Sequence, residues 1–332
     1  MQSVEVGPDR RLHAVTVDEP RPGPGQALIE VAHCGICGSD LHFRDVPELF
    51  PAGTVPGHEL SGRIVAVGEA VDGWAVGARV CALPFGQCGE CAVCRGGNEQ
   101  VCPHAVSNGV GLGTGRPGGY AEKVIVDERM LFALPDTVDD RAGTLVEPLA
   151  VAVRAVAKAA VPTTEPVVVV GAGPVGLLTS LVLREGGHEH AVILSRNPGR
   201  AAMAARLGLA TITLDELRDA EPPACVFDCA GTPSSAQLGV ELLRPLGQLM
   251  LVGLSLVPLD LPVPPVVLKE LNLRGVIAYR RGEFQEAIDL LATGRIPTDE
   301  LITDVRPLDQ AEGAFQALTT PGGEHVKIIL TP

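Results

Sequence analysis

The sequence predicts an α/β protein in which a doubly wound parallel sheet is joined to a β-rich part. Three observations predict it. Short β-branched runs separated by turn residues fill residues 27–126, with little helical period. From about Val151 strand-like and helical segments alternate instead. Within the alternating part, after its first strand, lies a glycine turn, Gly171, Gly173 and Gly176, directly after four valines. A chain of 332 residues also exceeds what one hydrophobic core organises, which implies two domains.

Taken in order, residues 1–150 form the β-rich part, with a cysteine-rich lobe at about 86–104. Residues 151–280 carry the parallel sheet, with strands expected at Val167–Val170, Ala191–Leu194, Cys225–Asp228, Leu249–Val252 and Leu273–Ile277. The stretch Pro258–Pro265 is proline-dense and is expected to be a loop. Residues 281–332 hold amphipathic helices near Glu283–Ala292 and Asp309–Leu318 and a closing strand at Val326–Leu330, and are expected to return to the first domain.

Composition removes several function classes. Hydrophobic residues make up 46% and charged residues 20%, a globular balance, while 3% aromatics leave few rings for stacking bases. A net charge of −14 without a Lys/Arg cluster argues against a nucleic-acid partner. Arg10 and Arg11 are followed by no apolar stretch, so no signal peptide or anchor is indicated and the cytoplasm is expected. The apolar run Val167–Leu183 is divided by Gly171, Gly173, Pro174 and Gly176, which argues against a membrane span. Four of the nine cysteines lie within fifteen residues, a pattern of metal binding rather than disulfides in a reducing compartment.

The motif VVVVGAGPVGLL follows a strand and opens a helix, as a dinucleotide phosphate turn requires. Gly171 makes the turn, Gly173 lets the backbone approach the pyrophosphate, and Gly176 allows close helix packing, with Pro174 and Val175 between them. An acid about twenty residues on would bind the ribose 2′-OH, whereas a small residue with arginine accommodates a 2′-phosphate. Here the chain reads Ser195, Arg196, Asn197, with Arg200 one helical turn later. NADP(H) is therefore expected over NAD(H), against the plainer reading of solvated arginines beside an NAD site.

Cys88, Cys91, Cys94 and Cys102 have the spacing C-x2-C-x2-C-x7-C, with turn-forming residues between them. Four thiolates so spaced can close a tetrahedral structural zinc site with no open position. Cys37, His58, Glu59 and Glu147 differ, being far apart and offering mixed S, N and O ligands. Such a set suits a catalytic ion that polarises an oxygen, as dehydrogenating an alcohol requires. Taken singly, each has a blander reading: a buried cysteine, a hydrogen-bonded loop histidine, two surface carboxylates.

The joint setting decides otherwise. The segments GICGSDLH at 35–42, VPGHE at 55–59 and VEPLAV at 146–151, the cysteine lobe and the later glycine motif occur in one order. In this the chain resembles, over essentially its whole length, the zinc-dependent alcohol dehydrogenases of the medium-chain dehydrogenase/reductase superfamily, with its nearest look to the polyol, sugar and threonine dehydrogenase branch. The resemblance implies a GroES-like catalytic domain beside a Rossmann domain and two zinc ions per chain. Cys37 and His58 match catalytic zinc ligands, Glu147 matches the glutamate of the polyol-like branch where simple alcohol dehydrogenases have cysteine, and Glu59 either ligates zinc or sits behind it. Ser39 and His42 match a proton relay, and Asp40 is read as a structural cap. Cys229, Ala230, Gly231, Val252 and Gly253 match positions that approach ribose and nicotinamide; Cys34, Cys81 and Cys225 are read as core, and no metal role is given to Cys229.

The implied reaction is hydride transfer between NADP(H) and a secondary alcohol or ketone, with a polyol, sugar or cyclitol-like substrate preferred. The alternatives are a simple secondary alcohol or threonine-like substrate with NAD(H), and, remotely, a non-catalytic NADP(H)-binding protein. The substrate loops, residues 43–56 and 105–119, offer apolar Phe43, Leu49 and Phe50 beside polar Arg44, Asp45 and Glu48. A homodimer or homotetramer is expected from the family.

Overall fold

The computed structural model describes all 332 residues, Met1–Pro332. The chain divides into two units, Met1–Glu147 with Arg280–Pro332, and Pro148–Tyr279.

In the first unit β1 (Gln2–Val6) and β2 (Leu12–Thr16) form an antiparallel pair. The main sheet is built on β3 (Gln26–Gly35), β4 (Glu59–Val67), β5 (Arg79–Ala82), β6 (Lys123–Asp127) and β7 (Leu131–Ala133). The second unit holds β8 (Val167–Val170), β9 (Ala191–Leu194), β10 (Thr211–Ile212), β11 (Cys225–Asp228), β12 (Gln248–Leu251) and β13 (Asn272–Gly275). The tail then returns to the first unit with β14 (Ile302–Pro307) and β15 (Lys327–Thr331).

The first sheet runs β14-β15-β3-β4-β5-β7, with β6 also pairing to β3. Strand β3 is flanked by three partners, so it reads QALIEVAHCG, apolar at most positions and mostly buried. Its Ile29 and Val31 pack with Ile64, Val126, Phe315 and Ile328 in one core. Each such fully buried side chain stabilises by roughly 1.5–3 kcal/mol relative to exposure. The register sets Gly35 opposite Glu59 across β3–β4, and Gly35 opposite Ile329 across β3–β15.

The second sheet is parallel throughout, in the order β10-β9-β8-β11-β12-β13. Strand β8 lies at its centre and is buried at all four valines, as a parallel strand covered on both faces must be. Strand order reverses between β8 and β11, the place where doubly wound sheets bind ligands.

Two features depart from the sequence reading. The stretch Pro258–Pro265 is not a loop throughout, because the helix Val263–Leu268 begins inside it. Prolines within a first helical turn remove only N–H groups that have no helical partner, so they start this helix rather than prevent it. The two-residue strand β10 has too short a pattern to stand out in the sequence. No helix is long and apolar enough to cross a membrane.

Candidate active site

The register of the first sheet builds the mixed-ligand cluster. The chain leaves β3 at Gly35 and reaches Cys37 two residues later, while His58 and Glu59 stand where β4 begins, opposite Gly35. One potential ligand atom from each of Cys37, His58 and Glu59 therefore falls within 4.8 Å of the others. Gly57 enters this strand at φ +103, and a Cβ there would lie 2.5 Å from the Tyr120 ring and 2.9 Å from Cys34 Sγ. Only glycine fits both its conformation and its space.

Asp40 is fully buried and serves several groups at once. Its Oδ2 accepts from the Cys37 backbone N–H at 3.1 Å, capping the short helix Gly38–Phe43, and from the Tyr120 hydroxyl at 2.7 Å. Its Oδ1 lies 3.4 Å from His58 Nδ1 without a hydrogen bond, and both atoms are buried with no other partner. Burial opposes a charged His58, yet the negative groups Asp40 and Cys37 outweigh it and hold the imidazole well above its ordinary range. The cluster thus favours positive charge among its ligands, and thiolate, imidazole and carboxylate are the donors zinc takes.

Glu59 has a partner that the sequence reading missed. Lys327 Nζ donates to Glu59 Oε1 at 2.8 Å and Oε2 at 2.6 Å, and to the Ile36 carbonyl at 2.9 Å. Both residues are buried, with Lys327 1% exposed. Burial pulls the Lys327 ammonium down, but the charges of Glu59, Cys37 and Glu147 raise it above its ordinary value. A lone lysine in the apolar run VKIIL was the available signal, because a lysine in a buried strand needs a carboxylate. Glu147 is buried in the first turn of the helix Val146–Ala159 and stands outside the 4.8 Å group. Ser39 is half-buried and His42 exposed, on the same short helix as Asp40.

The four other cysteines form a compact cluster. Sulfur separations are 3.6 Å for Cys88–Cys102 and 3.9 Å for both Cys88–Cys94 and Cys91–Cys102. Ligands about 2.3 Å from a tetrahedral zinc lie about 3.8 Å from one another, so this cluster has the size of a closed zinc site. The backbone N–H groups of Cys91 and Glu90 draw the Cys88 thiol down to about 6, toward the thiolate a metal needs. The lobe is tied to the returning chain by Arg280, which donates to Asn98 Oδ1 at 2.6 Å, and by the Arg281 backbone N–H, 3.2 Å from Glu99 Oε1.

In the second unit Gly171 ends β8 at φ +104, where a Cβ would lie 3.0 Å from the Ala230 backbone nitrogen. Gly173 caps the helix Pro174–Glu185, leaving its first N–H groups free for phosphate, with Val175 in its first turn. A Cβ on Gly176 would lie 1.8 Å from the Gly171 carbonyl oxygen, so the turn closes only over glycine. Gly231, at φ +62, packs backbone to backbone on Gly253, which brings Ala230 and Gly231 against the Val252–Gly253 segment. Buried Asp228 fixes this turn, its Oδ1 accepting from the N–H groups of Ala230 and Gly231 at 3.1 Å each. Cys229 Sγ is 3.8 Å from Thr179 Oγ1, and burial pushes its thiol up to about 12.

Beyond β9, Ser195 Oγ accepts from the Asn197 N–H at 3.2 Å, and Asn197 caps the helix Pro198–Arg206. Arg196 is exposed. Arg200 is half-buried, with Nη1 4.0 Å from the place a Gly173 Cβ would take and a buried Nε lacking any hydrogen-bond partner. Burial lowers the pKa of this guanidinium. A cavity of about 270 Å³ at the ends of β8 and β9 is lined by Val170, Gly171, Leu194, Arg196, Leu214 and Ala230, among others. A larger one, about 390 Å³, opens at the opposite ends of these strands around Glu165 and Arg244 and touches none of the glycine motif.

Comparison with known proteins matches residues 23–136 to the alcohol dehydrogenase GroES-like domain and residues 174–293 to the zinc-binding dehydrogenase domain. The chain is 33% identical over 327 residues to a sorbitol dehydrogenase of Halalkalibacterium halodurans, covering 95% of this chain and 94% of that one. Its fold is similar, at TM-score 0.91 and 27% identity, to a chain assigned as a zinc-binding dehydrogenase from Sinorhizobium meliloti bound to NADP, covering 100% and 99% of the two chains. An Escherichia coli CFT073 alcohol dehydrogenase complexed with NADH is similar to the same degree, TM-score 0.91 and 27% identity, with coverage of 100% and 99%.

Proposed function

This chain belongs to the zinc-dependent alcohol dehydrogenase family of the medium-chain dehydrogenases/reductases, and from that premise we propose that it interconverts a polyol-, sugar- or cyclitol-like secondary alcohol and its ketone with NADP(H). One observation carries the reaction class: the donors Cys37, His58 and Glu59 gather within 4.8 Å in a chain that also carries the complete glycine turn. When bound, zinc polarises and acidifies the substrate oxygen and the nicotinamide exchanges the hydride.

The chain's own residues supply the rest. Cys37 and His58 hold the ion with a carboxylate from Glu59, which lies within reach of both, or from Glu147, and Asp40 orients His58 from behind. Ser39 takes the hydroxyl proton and His42, exposed on the same helix, passes it to solvent. Cys88, Cys91, Cys94 and Cys102 hold a second, structural zinc. Gly171, Gly173 and Gly176 admit the pyrophosphate, while Ala230, Gly231, Val252 and Gly253 face the ribose and nicotinamide end.

The preference for NADP(H) is supported by Arg200, whose buried Nε has no hydrogen-bond partner, and by Ser195 and Arg196 following β9 with no carboxylate between them. A polyhydroxylated substrate is supported by the sorbitol dehydrogenase relative and by glutamate at position 147. The chain is also proposed to form a homodimer or homotetramer through edge strand β13 and the exposed Val263, Val267 and Leu268.

The test is turnover by zinc-assayed protein of polyols, sugars, simple secondary alcohols and hydroxy amino acids with NAD⁺ and NADP⁺ in parallel. Turnover of a polyol with NADP⁺ is expected. Preference for NAD⁺ overturns the cofactor assignment alone, and inactivity without metal at Cys37 and His58 overturns the reaction.

A further inference from the structure

We propose that Arg44 is a positioning residue for the short helix Gly38–Phe43: through Glu312 and Phe315 it anchors the exit of that helix to the returning tail, and so holds Ser39 and His42 in place as a proton path. This inference rests on the dehydrogenase reading and its relay.

The helix needs such an anchor. Its six residues are far fewer than the roughly 12–15 at which an isolated helix becomes even marginally stable in water, so packing and end contacts decide its position. Its entry is tied through Asp40 to Tyr120, and at its exit the Arg44 backbone N–H reaches the Asp40 carbonyl at 3.1 Å. The Arg44 guanidinium then turns to the helix Ala311–Thr319, where Nη1 donates to Glu312 Oε2 at 3.3 Å and Cζ lies 5.4 Å from the centre of the Phe315 ring. Phe315 is buried and meets Tyr120 edge to face at 6.2 Å, so both ends of the short helix bear on one aromatic pair.

Glu312 is itself held to receive a cation. Its Oε2 also accepts from the Leu12 backbone N–H at 2.9 Å and its Oε1 from Gln316 Nε2 at 3.1 Å, which fixes the carboxylate before Arg44 meets it. The two side chains are 18% and 17% exposed, and a partly buried pair is screened less by salt than one on the surface. Arg44 Nε is taken by Asp45 Oδ1 at 3.3 Å. The guanidinium is therefore committed to the protein body, although the sequence offers it as a substrate-loop donor, and the exposed charges of that loop are Asp45 and Glu48. His42 is exposed, so the helix backbone rather than packing sets where its imidazole starts. Misplacing a reacting group by about 1 Å costs on the order of 100-fold in rate, which makes the anchoring of this helix matter to turnover.

The test compares the unsubstituted full-length, zinc-loaded protein with Arg44→Met, Glu312→Gln and Arg44→Lys. Amide hydrogen exchange over residues 38–44 needs no substrate: Arg44→Met and Glu312→Gln are each expected to speed it roughly 10-fold while residues 148–279 stay unchanged, and Arg44→Lys, which keeps the charge, is expected to stay close to the original. With sorbitol and xylitol as probes, Arg44→Met is expected to lower kcat roughly 10- to 100-fold at unchanged cofactor KM and to enlarge the solvent deuterium isotope effect on kcat, as a slowed proton path requires. Unchanged exchange in Arg44→Met or Glu312→Gln overturns the proposal. Faster exchange with kcat and isotope effect both retained also overturns it, leaving a purely structural contact, as does a raised KM for the alcohol at full kcat, which makes Arg44 a substrate contact. Turnover of neither probe by the unsubstituted protein marks the polyol reading as wrong, while the exchange rates still decide whether Arg44 anchors the helix.

Discussion

His58 Nδ1 lies 3.4 Å from Oδ1 of Asp40, a carboxylate with no exposed surface. A carboxylate behind a ligating imidazole fixes its orientation and raises its basicity. Asp40→Asn is therefore expected to weaken metal binding at Cys37 and His58 roughly 10- to 100-fold. Chelator competition followed by elemental analysis checks this, with the metal of the cysteine lobe unchanged.

Arg200→Ala removes the guanidinium beside the glycine turn. Hydrogen bonds to charged groups contribute about 1.5–3 kcal/mol, so KM for NADP⁺ is expected to rise roughly 10- to 100-fold while KM for NAD⁺ stays near its original value. Steady-state kinetics with both cofactors decide it. An equal loss with each would place Arg200 on the pyrophosphate that the two share.

Much of this site was legible because its parts are local. The glycine turn, the cysteine spacing and the arginines after β9 each lie within a few residues of one another. Asp40 was legible only as a cap, since its other partners, Tyr120 and His58, arrive through the β3–β4 pairing and a loop eighty residues away. Lys327 was missed for the same reason: its contact with Ile36 spans 291 residues and depends on which strand β15 joins. Pro258–Pro265 misled because prolines signal both loops and first helical turns.

Asp228 supplies a pH test. Burial, the largest influence on it, raises its carboxyl above the ordinary 3.8 despite the hydrogen bonds that favour its charged form. Its contribution to stability is fully present below the unfolded pKa and is lost as pH rises through the folded value. Asp228→Asn keeps an oxygen for the Ala230 and Gly231 N–H groups and cannot ionise. Its stability relative to the original protein is expected to increase as pH rises from about 4 toward 7, as denaturant unfolding at several pH values would record.

Cys91→Ser opens the four-sulfur cluster. One zinc per chain is expected to be lost while the metal at Cys37 and His58 remains. Loss of about 3 kcal/mol would lower Tm by roughly 4 °C in a chain this long, read by calorimetry alongside zinc content.

Leu268, 83% exposed, and Val267, 65% exposed, lie on the helix preceding edge strand β13. Val267→Glu with Leu268→Glu is expected to reduce the mass seen by light scattering to that of one chain. An unchanged assembly would place the subunit contact elsewhere.

Because the first unit is interrupted between Glu147 and Arg280, its strands become available at two separate times during synthesis. The continuous second unit, Pro148–Tyr279, is complete while β15 has yet to be made. Elongation at about 5–20 residues per second separates Glu147 from Lys327 by on the order of ten seconds or more. Through that interval Cys37, His58 and Glu59 exist without their lysine and without the strand that covers β3. The dinucleotide-binding half can thus mature on the ribosome ahead of the metal centre, and the nascent chain must keep its reactive thiols from the wrong metal until its final strand arrives.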